Sequence, residues 1–161
     1  MEEKTVFDLD GFDQVWRRVN GGAPSLPPLP QSTGAESLRS FIERAAEAAA
    51  FYTALAARSG SAARTLHRLA RAERAHLRRL QVEYFLQVGD TCAPSRSCPM
   101  RGSVLGDLRK AYLGELANAE RYRRAAQAAE TAELAALYAE LSEAETAHAA
   151  ALRTLIASAL A

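Results

Sequence analysis

Residues 66–80 read LHRLARAERAHLRRL, and certain side chains recur along them at alternating steps of three and four. The residues at these steps are Leu66, Leu69, Glu73, His76 and Leu80. This spacing predicts a helix with one buried face, and it places a glutamate and a histidine inside that face. Because an unpaired buried carboxylate is costly, Glu73 and His76 need a cation, a hydrogen-bond network or water beside them.

The same pattern returns 72 residues later. Its inward positions are Tyr138, Leu141, Glu145, His148 and Leu152. Two inward-facing Glu-x-x-His pairs predict a metal site, because carboxylate oxygens and neutral imidazoles suit iron, manganese or zinc. The set contains no thiolate, which argues against a structural zinc site.

Glu73-Arg-Ala-His76 and Glu145-Thr-Ala-His148, each on the second helix of a predicted hairpin, resemble the motifs of the ferritin-like di-iron carboxylate proteins, above all the rubrerythrins. The resemblance covers roughly residues 36–157. It implies an all-α, ferritin-like four-helix bundle in which each of the other two helices donates one more glutamate. It also implies two iron ions, with manganese or zinc as alternatives, that react with oxygen or peroxide.

Composition and charge narrow the class of protein. Leucine, alanine, arginine and glutamate dominate while valine and isoleucine are scarce, so helices and no sheet are expected. The net charge of +1 favours neither nucleic acid nor an anionic membrane as a partner. The N-terminus lacks a signal-peptide pattern, and no segment approaches the ~20 apolar residues of a membrane span. A cytoplasmic location is therefore expected.

Four bundle helices are predicted within residues 36–161 and just before them, over about 34–58, 61–88, 103–129 and 132–159. Thr33, Ser103 and Thr131 are residues that cap helix starts, whereas Gly60 and Gly89 stop helices. On the third helix, Glu115 lies in the middle of the inward face. Glu120, on the same helix, is predicted to be a surface residue.

Residues 1–35 are predicted to form a short extra helix and a proline-rich linker. Phe12, Val15, Trp16 and Val19 give this helix one apolar face, which is too short to be stable alone. The face must dock on the bundle, on the second subunit of a homodimer, or on a different partner.

Residues 89–102 join the second and third helices and contain Cys92 and Cys98. If these helices are parallel, as the resemblance implies, the segment must cross the length of the bundle; a simple antiparallel turn is the alternative. In a reducing compartment the two cysteines are spare thiols, or else they form a reversible redox disulfide. Tyr122 likewise has two readings, as a core aromatic residue or as a catalytic residue with a redox or hydrogen-bonding role.

The first helix offers no plain sixth ligand. Aligning its inward face with that of the third helix places Ala45 opposite Glu115, and alanine cannot bind a metal. Glu43 matches by its 30-residue spacing to Glu73, and Glu47 is nearby, but both fall on the outward face.

These features leave three readings of the function. The first is a rubrerythrin-like peroxidase or ferroxidase that acts in oxidative stress or iron handling. It would need an external electron donor, because the chain has no pair of Cys-x-x-Cys motifs to hold a rubredoxin iron. The second is a bundle that binds metal weakly or binds one metal only. The third is a non-enzymatic bundle that acts as a scaffold or partner-binding module.

Overall fold

The computed structural model describes residues 34–95 and 102–161. These contain four α-helices, which are α1 Gly34–Ala56, α2 Ala63–Val88, α3 Val104–Ala128 and α4 Ala132–Leu160. A 3-10 turn, Gly60–Ala62, precedes α2, and no strand occurs in the described residues. The prediction of an all-α four-helix bundle is therefore confirmed, whereas the predicted helix in the N-terminal 33 residues lies outside the described part.

The predicted capping residues act at three helix ends. The Ser103 hydroxyl accepts a hydrogen bond from the Gly106 backbone N–H at 3.1 Å, and the Thr131 hydroxyl accepts one from Leu134 at 3.2 Å. Gly89 follows α2 with a φ of 76°, a left-handed conformation that glycine adopts without strain. These local signals explain why the helices begin and end close to the predicted positions.

Side-chain contacts between helices fix their directions. Arg39 of α1 bonds the Tyr84 hydroxyl near the end of α2, and Arg74 bonds the Thr53 hydroxyl near the end of α1, so α1 and α2 are antiparallel. Along α1 and α3, Phe41 lies against Tyr122 whereas Tyr52 bonds Glu115, so these two helices are antiparallel as well. It follows that α2 and α3 are parallel.

The segment between α2 and α3 must therefore travel the length of the bundle, as the crossover prediction required. Its first part returns along α1 and α2, where Gln81 donates to the Cys92 carbonyl at 2.9 Å and Glu43 accepts from the Ser95 N–H at 2.9 Å. Its last residues lie at the other end, where Arg58 of α1 donates to the Gly102 carbonyl at 2.7 Å.

The inward faces of the helices pack into one buried hydrophobic cluster, hereafter the apolar layer. Its members are Leu38, Phe41, Ile42, Ala45, Leu80, Tyr84, Cys92, Tyr122, Leu134, Tyr138 and Leu141. The Phe41 ring stacks on Tyr122 at 4.3 Å between centroids and contacts Tyr138 at 5.3 Å. This layer borders the Glu-x-x-His pairs on one side and shields them from water.

The outward faces are polar. Arg64, Arg68, Arg71, Arg74 and Arg78 of α2 are exposed, as is His67. Glu120 forms salt bridges with Arg123 at 2.8 Å and Arg124 at 2.7 Å, which confirms its predicted surface role. No helix in the described part of the chain has the length and apolar character needed to cross a membrane.

Candidate metal centre

The structure brings together five predicted ligand residues at the centre of the bundle. They are Glu73 and His76 from α2, Glu115 from α3, and Glu145 and His148 from α4. The three glutamates are at most 2 % exposed and the two histidines 8 % exposed. Such complete burial of three carboxyl groups requires compensation by cations, protons or strong hydrogen bonds.

The two histidines point their Nδ1 atoms at carboxylates. His148 Nδ1 lies 2.9 Å from Glu73 Oε1 and 3.9 Å from Glu115 Oε2. His76 Nδ1 lies 3.2 Å from Glu145 Oε1 and 3.5 Å from Glu73 Oε1. The imidazole rings stack with centroids 5.4 Å apart. Each histidine therefore contacts the glutamate of the opposite motif, and the two motifs form one centre.

Most donor atoms of this cluster lack a hydrogen-bond partner among the described residues. The atoms concerned are Glu73 Oε1, His76 Nδ1, Glu115 Oε2, both carboxylate oxygens of Glu145, and His148 Nδ1. Although some of the nitrogen–oxygen distances are short, their angles are not those of hydrogen bonds. A set of buried, unpaired oxygen and nitrogen atoms that all face one point is what a metal ion would satisfy.

The spacing of these atoms suits a metal ion. Glu73, Glu115, Glu145 and His148 each offer one ligand atom, and the four atoms lie within 4.8 Å of one another. Bonds of about 2.0–2.2 Å, as zinc forms with oxygen and nitrogen, place opposite ligand atoms about 4 Å apart. The residues present thus fit a metal ion with only small adjustments, and His76 adds a further nitrogen beside Glu145.

Tyr52 of α1 is a functional residue that the sequence did not reveal. Its hydroxyl donates a hydrogen bond to Glu115 Oε1, which leaves Oε2 of the same carboxylate facing the centre. Tyr52 is 2 % exposed and belongs to the inward face of α1, so its sequence position resembles that of an ordinary core aromatic residue. Only the pairing of α1 with α3 shows that its hydroxyl meets a carboxylate.

Burial and mutual repulsion control the charges of the carboxyl groups. Burial, followed by Glu145 and Glu73, raises the pKa of Glu115 to about 11, so this group is protonated in metal-free protein at neutral pH. For Glu73, burial acts in the opposite direction to His148 and His76, but the two imidazoles outweigh it and its pKa is lowered.

The histidine and tyrosine respond to the same carboxylates. Burial opposes a charge on His76, yet Glu145 and Glu73 outweigh it and raise its pKa to about 9. Burial, and then Glu115, raises the pKa of Tyr52 well above its ordinary value, so its hydroxyl stays protonated and can only donate to Glu115. Protons therefore balance the carboxylates in metal-free protein, and a divalent cation would displace them.

The structure differs from the sequence alignment on α1. Tyr52, not Ala45, lies against Glu115, because Ala45 belongs to the apolar layer. Glu43 is partly buried and accepts the Ser95 N–H, and Glu47 is exposed. Within the described residues, neither of these two glutamates joins the cluster of metal-binding groups.

The remaining candidate residues lie apart from the ligand cluster. Tyr122 is 3 % exposed and stacks on Phe41, which agrees with a core role and leaves its catalytic role a prediction. Cys92 is buried in the apolar layer and forms no disulfide with any described residue. Cys98 lies outside the described residues, so the proposed disulfide also remains a prediction.

The chain was compared with known proteins by sequence and by structure. No protein-family model matches it, and no curated protein or solved structure matches it. The described part of the chain is thus a four-helix bundle with a buried group of glutamates and histidines that can hold a metal ion.

Proposed function

We propose that this protein is a ferritin-like oxidoreductase that binds iron or manganese in the bundle centre and reacts with oxygen or peroxide. The observation that carries the proposal is the set of buried, unpaired donor atoms on Glu73, His76, Glu115, Glu145 and His148. Three carboxylates and two imidazoles without a thiolate are typical ligands for iron and manganese.

The five residues would not hold two metals equally well. Glu73, Glu115, Glu145 and His148 converge within one coordination distance and would hold the first metal. His76 lies beside Glu145 and would hold a second metal with it. Because α1 contributes the Tyr52 hydroxyl in place of a carboxylate, the second position lacks a negative ligand, and we propose that it binds more weakly.

Each neighbour of the ligands has a defined task in this proposal. Tyr52 fixes the orientation of Glu115 by holding one of its oxygens, as partners of metal ligands generally do. Leu80 and Leu141 of the apolar layer exclude water from one side of the centre. Bound ferrous iron would supply electrons to oxygen or peroxide, and an external donor would have to replace them.

Metal content tests the first half of the proposal. Protein purified without chelators should contain iron or manganese, and the double variant His76→Ala, His148→Ala should lose it. The third histidine, His67, is exposed on α2, so His67→Ala is a matched control that should keep its metal. Full metal content in the double variant, or equal loss in the control, would refute the assigned site.

Turnover tests the second half. Iron-loaded protein supplied with a reductant should consume peroxide or oxygen, measured with an electrode, whereas Glu115→Gln protein should lose most of this activity. If the protein binds stoichiometric iron but consumes neither oxidant, it is a metal-binding bundle without oxidase activity. If it binds no metal at all, the reading as a non-enzymatic scaffold replaces the proposal.

A further inference from the structure

A groove of about 370 Å³ opens between α1 and α3, next to the metal centre. Tyr52 and Glu115 contribute to its lining, although each is only 2 % exposed, so they form its floor. Phe51 and the bare backbone of Gly114 line its walls. The groove is therefore the place where a molecule from solvent comes nearest to the carboxylate of α3.

The charged residues around this groove are mostly basic. Arg44, Lys110 and Arg121 line it, against a single acidic surface residue, Glu47. Arg121 donates to the neutral Asn118 amide at 3.2 Å and forms no salt bridge with a described residue. The Nε atom of Arg44 is buried and has no partner in the described part of the chain. The groove thus holds positive charge that the described residues do not neutralise.

The two arginines lie together at one end of the groove. Because α1 and α3 are antiparallel and Phe41 stacks on Tyr122, Arg44 and Arg121 face each other across the two helices. In agreement with this, burial and then the charge of Arg44 lower the pKa of Arg121. Two adjacent guanidinium groups repel each other, and an anion placed between them would remove that repulsion.

The distance to the floor sets the size of the ligand. From Arg121 to Glu115 is six residues of helix, or about 9 Å of rise. An anionic group bound by the arginines therefore leaves room for a ring-sized body between Phe51 and Gly114, above Tyr52 and Glu115. An added Cβ at Gly114 would meet no atom within 4 Å, which shows how open this wall is.

We propose that this groove binds a small organic anion, with its carboxylate or phosphate group between Arg44 and Arg121 and its apolar body against Phe51, directly above Glu115. The inference rests on the proposed function where it makes this ligand the molecule that reaches the metal centre. Binding itself needs only the groove, so it can be measured in metal-free protein. The two proposals can therefore fail separately.

The test is calorimetric titration of the metal-free full-length chain with benzoate, phenyl phosphate and benzyl alcohol. Benzoate or phenyl phosphate should bind at least about tenfold more tightly than the neutral alcohol, because only the anions pair with the guanidinium groups. Stronger binding of benzoate identifies a carboxylate ligand, and stronger binding of phenyl phosphate identifies a phosphate ligand. Equal binding of the alcohol and the anions, or no binding of either anion, would overturn the proposal.

Variants locate the binding to the groove. Arg44→Gln and Arg121→Gln should each weaken anion binding about tenfold. Arg123→Gln removes the same charge from an exposed position on α3 and should leave binding unchanged. Gly114→Leu should block the aromatic anions by filling the wall, and it should still fold, because leucine favours helix more than glycine does.

These variants also distinguish a specific site from general attraction to positive charge. Equal weakening by Arg44→Gln and Arg123→Gln would show that the anions respond only to net charge. Undiminished binding to Gly114→Leu would show that they do not occupy the groove. Either result would overturn the assignment, and circular dichroism of each variant would verify that its fold is intact.

Discussion

Tyr52 is the residue through which α1 takes part in the candidate metal centre. Its hydroxyl holds Glu115 Oε1, and the rest of the ring is buried with it. A ligand whose second oxygen is fixed in this way needs less reorganisation when a metal binds. The phenol therefore replaces the glutamate that the family resemblance implied, but it acts on a ligand instead of being one.

We expect Tyr52→Phe to weaken metal binding without unfolding the bundle. Loss of the donor leaves a buried carboxyl oxygen unpaired, which should destabilise metal-free protein by about 1–3 kcal/mol. Metal affinity should fall about tenfold, because Glu115 is no longer oriented. Manganese titration and urea denaturation measure the two effects.

Tyr84→Phe is the matched control for this change. Tyr84 is also a buried tyrosine, but its hydroxyl accepts a hydrogen bond from Arg39 at 2.6 Å, away from the ligands. This variant should lose stability and retain metal affinity. Similar losses of metal affinity in both variants would mean that Tyr52 acts only through general packing.

Ala45 provides a second residue-scale test. A glutamate there would enter the apolar layer, so Ala45→Glu should destabilise the protein by about 3 kcal/mol or more, with or without metal. Its metal stoichiometry should not rise. Thermal melts and metal analysis measure both quantities, and a gain of one metal equivalent would instead support the alignment that places residue 45 opposite Glu115.

At the scale of the helices, α1 connects the metal centre, the crossover segment and the groove. Its inward face carries Tyr52, while Glu43 holds the crossover backbone at Ser95 and Arg58 holds it again at Gly102. The same helix supplies Arg44 and Phe51 to the groove. Because successive faces of one helix serve these three regions, a shift of α1 would alter all of them together.

The contact between Glu43 and Ser95 should keep the crossover segment closed over Cys92. Cys92 is 3 % exposed, so its thiol should react slowly with a thiol reagent. In a Cys98→Ser background, Glu43→Ala should speed this reaction severalfold and destabilise the fold by no more than about 1 kcal/mol. Metal content should not change.

Glu47→Ala is the control, since Glu47 is exposed one turn further along α1 and makes no contact with the crossover segment in the described structure. It should leave the labelling rate of Cys92 unchanged. Loss of metal in Glu43→Ala, measured in the same samples, would contradict the structural role and restore Glu43 as a sixth ligand.

At the scale of the whole molecule, the C-terminal half of α2 carries an apolar surface that no described residue covers. Val82 is 60 % exposed, Phe85 51 %, Leu86 71 % and Val88 43 %. Four large apolar side chains within two turns of one helix are typical of a surface that contacts another protein. We expect it to be the interface of the predicted homodimer.

Leu86→Glu should therefore convert the dimer to a monomer, as measured by sedimentation equilibrium. Leu116→Glu changes a residue of α3 that is 42 % exposed and should leave the mass unchanged. Both changes lie on the surface, so the melting temperature of each subunit fold should change little. An unchanged mass in Leu86→Glu would contradict this interface.

Deletion of residues 1–30 separates the dimer from a role of the N-terminal segment. If the truncated protein keeps its mass and its melting temperature, the apolar residues Phe12 and Trp16 serve an external partner. If it becomes monomeric while still folded, the segment belongs to the dimer interface. A lower melting temperature at constant mass would show that the segment stabilises its own subunit.

The sequence alone determined the helices, their faces and most of the candidate ligands. Local chemistry fixes these features, because capping residues set the ends of a helix and the 3.6-residue period sets which side chains point inward. Thus Glu73, His76, Glu115, Glu145 and His148 were found by spacing, and the structure buries all five. Glu120 was assigned to the surface by the same reasoning.

Only the tertiary structure decided which layer of α1 lies against the ligands. Ala45 and Tyr52 are seven residues apart, which is about two helical turns, so they share one face and differ only in height. Sliding α1 by that distance keeps every apolar side chain inward, and the sequence pattern therefore cannot detect the shift. Packing against α3 fixes the height, and it places the Tyr52 hydroxyl on Glu115 and Arg44 beside Arg121.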